Sequence, residues 1–462
     1  MKTTKTIAFL IFILFIASCK KETNENIPPD PDIIDLSSYV AMGNSLTAGY
    51  ADGALYTSGQ EYSYANIIAS QIAIVGGNGV FKTPIIPTED GVYPSFGQSG
   101  LYLSTKLVLA NKTNCLGESI VHPVRKIENP DQDKLNEELF TNISAQGPYN
   151  NLGVPGITVS NMITPGLGSF NPYYGRFATN ASADKLIDEA IKVEPTFFSL
   201  WIGNNDVLSY ATSGGTSSIT TSEIFELSYN SVASLLSSIT EGGIVANIPD
   251  IASAAYFVSI KYNTVNLDTE EEVTSLQEEY SDYNQHMESQ GKDYRINWQI
   301  GNNPMVIRDK EMQVSEEFKI RQMTANELAL ISLPMDSILC ATWGSLKPIG
   351  DQYILTESEI TKTNDAVEGF NNFISITAEK YDLALIDMNA LMKGISENGL
   401  TEDGINFSTE FIYGNLFSLD GIHITPQGNA LVANRFIEAI NSKYSTSIPL
   451  VKVSDYPAVS LP

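Results

Sequence analysis

His423 is one of only three histidines in 462 residues, and it alone combines a carboxylate at short, turn-compatible spacing with a small-residue, Pro-Gly setting. In "LFSLDGIHITPQGNALV", Asp420 stands three residues before it, just ahead of a helical pattern. His122 ("SIVHPVRK") and His286 ("NQHMESQGK") have charged or polar neighbours and read as solvated surface residues. A carboxylate beside an imidazole sets its tautomer and stabilises the imidazolium. The free ring nitrogen then takes the proton of a hydroxyl too weakly acidic to react by itself. A hydroxyl in a suitable setting occurs near the other end of the chain. In "SYVAMGNSLTAGYADG" an apolar run over 39–42 breaks at Gly43 into small polar residues around Ser45. Taken alone, Ser45 reads as a nucleophile at a strand end, part of a phosphate cradle, or a turn residue. Tyr50 stands where a phosphate loop needs lysine, which weakens the second reading.

Acyl transfer also needs donors aimed at a developing oxyanion. "LWIGNNDVL" places Gly203, Asn204, Asn205 and Asp206 at the end of an apolar run, the edge where open parallel sheets bind ligands. "NLGVPGITVSNM" places Gly153 and Gly156 in what reads as a turn, where a bare backbone N–H can approach a substrate. The blocks "GNSLTAG", "NLGVPGIT", "IGNND" and "DGIHIT" occur in the order of the four blocks of the SGNH (GDSL-type) hydrolases, which the chain resembles. That resemblance implies an α/β/α sandwich acting as an esterase, lipase or carbohydrate deacetylase without a cofactor or metal. It implies Ser45 as nucleophile, His423 as base and Asp420 as its orienting acid. The oxyanion donors would be the Ser45 N–H, the Gly156 N–H and the Asn205 amide. The chain departs from the family at Asn44, where aspartate is usual, and in much longer spacings between the blocks.

The elements that must position these residues are legible as alternation. Strand-like runs at 39–42, 196–202, 243–248 and 383–388 are separated by helical patterns such as "EYSYANIIASQIAI" and "TESEITKTNDAVEGFNNFISITAEKY". In "SADKLIDEAIKV", Ser182 reads as the helix N-cap. Strands alternating with helices predict a three-layer α/β/α sandwich around a central parallel sheet. Two stretches, about 76–150 and 254–350, break the alternation and read as long insertions into one domain spanning 38–445, with 446–462 as a tail.

The chain opens with Lys2 and Lys5, then "TIAFLIFILFIASC", too short to span a bilayer as a helix. Residues 1–18 read as a secretory leader ending in a lipobox-like "IASC" that would put lipid on Cys19. Residues 19–37, charged and proline-punctuated, read as a tether. The expected location is the bacterial cell envelope, with the membrane engaged through the N-terminal lipid only. A net charge of −27 argues against a nucleic-acid partner. Cys115 and Cys340 either pair or are unrelated thiols. The expected substrate is a small-molecule or glycan ester. The competing reading is a non-catalytic binding lipoprotein that holds a glycan or peptide on Tyr93, Phe96, Tyr102 and Trp298.

Overall fold

Five short strands form a parallel sheet: β1 (Tyr39–Gly43), β2 (Asn151–Gly153), β3 (Phe197–Trp201), β4 (Gly242–Ala246) and β5 (Ala384–Ile386). Their spatial order is β5-β4-β3-β1-β2. The computed structural model describes residues 34–77, 80–97 and 100–462, so the leader, Cys19 and residues 20–33 of the tether lie outside the described residues. Every residue of β1 and β3 is buried, as in strands covered on both faces. Four strands sit where the apolar runs predict them. The fifth, β2, occupies part of the stretch read as a turn, because three residues ending on a glycine carry no periodicity to recognise.

The helices used below are α1 (Ser45–Ala48), α2 (Tyr64–Ile74), α3 (Leu186–Lys192), α4 (Asn205–Thr212), α5 (Ser222–Ile239), α6 (Glu357–Lys380), α7 (Met388–Asn398) and α8 (Pro426–Tyr444). One layer is α2 with α8, where Tyr64 stacks on Phe436 and both meet Trp201 of β3. In the other, Phe225 of α5 stacks on Phe370 of α6 at 3.9 Å. Capping explains several starts: Thr221, Thr356 and Thr425 each accept a backbone N–H of the first turn of α5, α6 and α8. Two expectations fail. Ser182 is not a cap, since its hydroxyl bonds Asn180 in a turn and α3 starts only after Lys185. The run at 383–388 stops as a strand at Ile386, and Asp387 then caps α7 by accepting the Ala390 N–H.

The strand order reverses direction between β1 and β3, and the crevice above the carboxyl ends at such a reversal is where open parallel sheets bind ligands. Gly43, Gly153 and Trp201 lie in register along that edge. Both insertions reach it. The first carries two antiparallel hairpins, Tyr93–Gly97 with Gly100–Ser104 and Leu107–Thr113 with Ser119–Arg125. The second has its own apolar core, around Met287, Trp298, Met305 and Ile307. A Cys115–Cys340 disulfide, Cα atoms 6.3 Å apart, joins one insertion to the other. Trp298 is only 4% exposed and so is not available as a sugar platform. Tyr93 lies under the Arg125 guanidinium, and the Phe96 side chain lies outside the described residues.

The described fold also exceeds the expected bounds at both ends. Leu36 packs into the main core ahead of residue 38, and Ile448 and Val453 bury themselves in it beyond residue 445. Among the described residues, no helix is long and apolar enough to cross a membrane.

Candidate active site

Ser45 is held by the way β1 ends. Gly43 carries no side chain because a Cβ there would lie 2.1 Å from Thr47 Oγ1 and 2.4 Å from the Trp201 carbonyl oxygen. The chain can then turn at once into α1. Asn44 caps that turn, its Oδ1 accepting the Leu46 N–H at 3.0 Å. The amide thus fulfils the capping task open to an aspartate without adding negative charge. A Cβ on Gly153 would sit 2.2 Å from the Ala48 nitrogen, so glycine is what lets α1 lie against β2. Ser45 itself is 7% exposed.

The loop before α8 reaches Ser45 from the far end of the chain. His423 Nε2 lies 2.7 Å from Ser45 Oγ, and His423 Nδ1 lies 2.9 Å from Asp420 Oδ2. The Asp420 carboxylate also accepts the N–H groups of Gly53, Ile422 and His423, at 2.8, 2.9 and 2.8 Å. Burial by itself pushes this carboxyl up. The neighbouring His423 charge and these hydrogen bonds outweigh it and bring the carboxyl down to about 2. An ionised Asp420 keeps the proton on Nδ1, which leaves Nε2 to accept from the Ser45 hydroxyl.

Several residues that brace this loop are not identifiable from the motifs. Asp52 Oδ1 accepts the Leu419 N–H, and the Asp52 N–H donates to Ser418 Oγ. The first insertion supports the same turn. The Leu107 N–H donates to the Asp52 carbonyl, and the Arg125 guanidinium donates to the Gly53 carbonyl. From the other side, the Tyr256 N–H at the start of the second insertion donates to the Gly421 carbonyl. Gly421 has φ +74°, and a Cβ there would meet the Tyr256 nitrogen at 2.9 Å. Tyr50 packs its ring 4.6 Å from the imidazole. The one sequence signal for Asp52 and Tyr50 is their closeness to Ser45. His122 is exposed and His286 stacks on Phe318 within the second insertion, and neither hydrogen-bonds Ser45 or Asp420.

The candidate oxyanion donors come from neighbouring strands. Asn205 begins α4 just after β3, and one of its amide hydrogens goes to the Ile157 carbonyl at 2.8 Å, leaving the other for a ligand. The Gly156 loop is anchored to the same place. The Val154 N–H donates to the Gly43 carbonyl, and the Val159 N–H to Asp206 Oδ2. Gly156 is exposed at φ +82°. Among the described residues, neither its N–H nor that of Ser45 has an acceptor. Asp206 is almost wholly buried. Burial pushes its carboxyl up to about 6, although the Val159 N–H and the Thr220 hydroxyl pull the other way.

Ser45, Asn205 and His423 share one cavity, about 810 Å³ counting its open mouth. Asn44, Asn204 and Asp250 complete its polar lining, and the remaining wall is apolar. Gly156 is not part of that lining. Among the described residues, no group of three or more His, Cys, Asp or Glu side chains has an arrangement that could hold a metal.

No protein-family model matches the chain, and no curated protein matches it. Solved structures similar to it include an α/β hydrolase enzyme from the metagenome of Lake Arreo, 10% identical with a TM-score of 0.34. Another is an acetylxylan esterase from Geobacillus stearothermophilus, 10% identical with a TM-score of 0.35. Each match covers 88% of this chain and 96% of the other. An extracellular lipase from Streptomyces rimosus is 11% identical over 88% of this chain and 98% of its own, with a TM-score of 0.32. Likenesses this weak transfer neither fold nor function to this chain.

Proposed function

We propose that the protein is a serine ester hydrolase of the SGNH type that works through an acyl-enzyme. The observation that carries this reading is the hydrogen-bonded row Ser45–His423–Asp420, drawn from opposite ends of the chain at 2.7 and 2.9 Å. Ser45 Oγ forms a bond to the ester carbonyl carbon while its proton passes to His423 Nε2. As the bond from carbon to the alcohol oxygen breaks, that proton goes to the departing alkoxide. A water molecule then gives its proton to Nε2 and attacks the acyl carbon. The carboxylic acid leaves as the proton returns to Ser45. Asp420 stays ionised throughout and stabilises the imidazolium formed at each step. The Ser45 N–H, the Gly156 N–H and the free Asn205 amide hydrogen serve the oxyanion in both halves.

A fluorophosphonate, which traps an activated serine, is expected to label the wild-type protein at one site. Ser45→Ala should abolish labelling, and His423→Ala should suppress both labelling and p-nitrophenyl ester turnover. Undiminished labelling of Ser45→Ala rejects the assignment, and a protein that is never labelled and turns over no ester returns the chain to the binding class. The leader and Cys19 support a lipid-anchored location in the bacterial envelope. Its test is whether Cys19→Ala moves the protein from the membrane fraction to the soluble one.

A further inference from the structure

The cavity that holds Ser45 says more about the substrate than the four motifs do. Helix α7 lines it with Met388, Leu391, Met392 and Ile395, one apolar stripe at helical spacing. Leu416, Phe417 and Leu431 add to the apolar wall, and all three are buried, Leu431 fully. An acetyl group would reach little of that stripe, whereas a longer acyl chain covers it and takes its own methylenes out of water. The polar lining is confined to residues that follow the ends of β1, β3 and β4, together with His423.

Resting on the ester-hydrolase reading above, we infer that this cavity is an acyl-chain pocket, and that the substrate is an ester of a medium-length fatty acid rather than an acetylated glycan. The division of labour in the reaction decides which half of the ester lies inside. The acyl group remains on Ser45 between the two steps, so a pocket walled by buried apolar side chains beside Ser45 suits it. The alcohol has to leave and water has to replace it, which requires the cavity's open mouth. Met388 to Ile395 spans about 10 Å of helix, room for an extended chain of roughly eight carbons. Each methylene moved from water into the pocket is expected to raise kcat/KM about three- to fourfold until that length is reached.

The test is a series of p-nitrophenyl esters from acetate to palmitate, with octyl acetate as the reversed arrangement. The optimum is expected near eight carbons on the acyl side, with no comparable gain from the octyl alcohol. Met392→Trp, which fills the pocket, should lower the octanoate-to-acetate ratio of kcat/KM at least tenfold. Met392→Ala, which enlarges it, should shift the optimum to longer chains, so the inference does not rest on one variant folding. A flat or acetate-peaked profile, or equal gain from octyl acetate, overturns the acyl pocket while leaving the esterase reading intact. Binding of decanoate to Ser45→Ala, followed by titration calorimetry, separates the two readings in the other direction. If no ester is turned over but decanoate binds, and Met392→Trp in that background abolishes binding, the pocket stands and the hydrolase reading falls. No decanoate binding to Ser45→Ala, together with no chain-length preference, removes the pocket.

Discussion

Replacing Asp420 with asparagine changes one atom, and the structure makes its consequences unusually specific. Both carboxylate oxygens are acceptors, receiving N–H groups from Gly53, Ile422 and His423 as well as the imidazole Nδ1. An asparagine can satisfy Ile422 and His423 with its oxygen only by turning its NH2 toward Gly53 and Nδ1. That NH2 then faces the Gly53 N–H, donor against donor, and forces Nδ1 to become the acceptor. The ring proton moves to Nε2, which can no longer accept from Ser45. A wrong tautomer of this kind costs ~10⁴ in kcat, or ~5.5 kcal/mol of barrier. Stability should fall as well. A carboxyl brought from 3.8 down to about 2 by folding represents about 2 kcal/mol of stabilisation. Because the folded value is the lower one, that contribution is fully present above about pH 4. It is lost as the pH falls through about 2. Ester kinetics at neutral pH and urea unfolding across pH 2–7 measure the two effects. The expected result is a ~10⁴-fold loss, with the acid limb of the stability curve flattened between pH 4 and 2. An Asp420→Asn protein within tenfold of wild type, folded and labelled at the normal rate, would refute the tautomer reasoning.

Asn205→Ala removes one of the proposed oxyanion donors and should lower kcat by ~10²–10³ with a much smaller change in KM, as steady-state kinetics would show. Asp206 gives a pH effect of the opposite sign to Asp420. Its folded value, about 6, lies above its ordinary 3.8, so wild-type stability should decline as the pH rises through that interval, by up to about 3 kcal/mol. Asp206→Asn should remove this decline, and identical slopes for both proteins in urea unfolding between pH 4 and 7 would contradict it. The Cys115–Cys340 bond closes a separation of 225 residues between the insertions. Replacing both with serine should lower stability by about 2–4 kcal/mol, measured by urea unfolding, and thiol titration of the denatured wild type should find neither cysteine free.

The long strand–helix alternation was readable because apolar periodicity reflects burial directly. β1, β3 and β4, and helices such as α2, α6 and α8, lie within or close to the stretches their patterns mark. The residues of the hydrogen-bonded row Ser45–His423–Asp420 were readable for a related reason. A nucleophile, a base and an acid must be particular residue types, and Ser45, Asp420 and His423 carry neighbours that match a recognisable set of motifs.

What escaped the sequence has neither periodicity nor a required residue type. β2 is three residues long, and α7 follows an apolar strand so closely that its first residue reads as part of it. Asp52 and Tyr256 act through backbone groups of the Asp420 loop, and Arg125 through the carbonyl of Gly53, whose N–H Asp420 accepts. Such bonds leave little trace in local composition and exist only once distant segments meet. By itself the sequence determined which groups can do chemistry and which segments must be buried, since both are local properties of side chains. Only the tertiary structure decided that residues 378 positions apart stand at 2.7 Å, and that the wall beside them is apolar. Distance and enclosure come from how the chain packs, not from any one stretch of it.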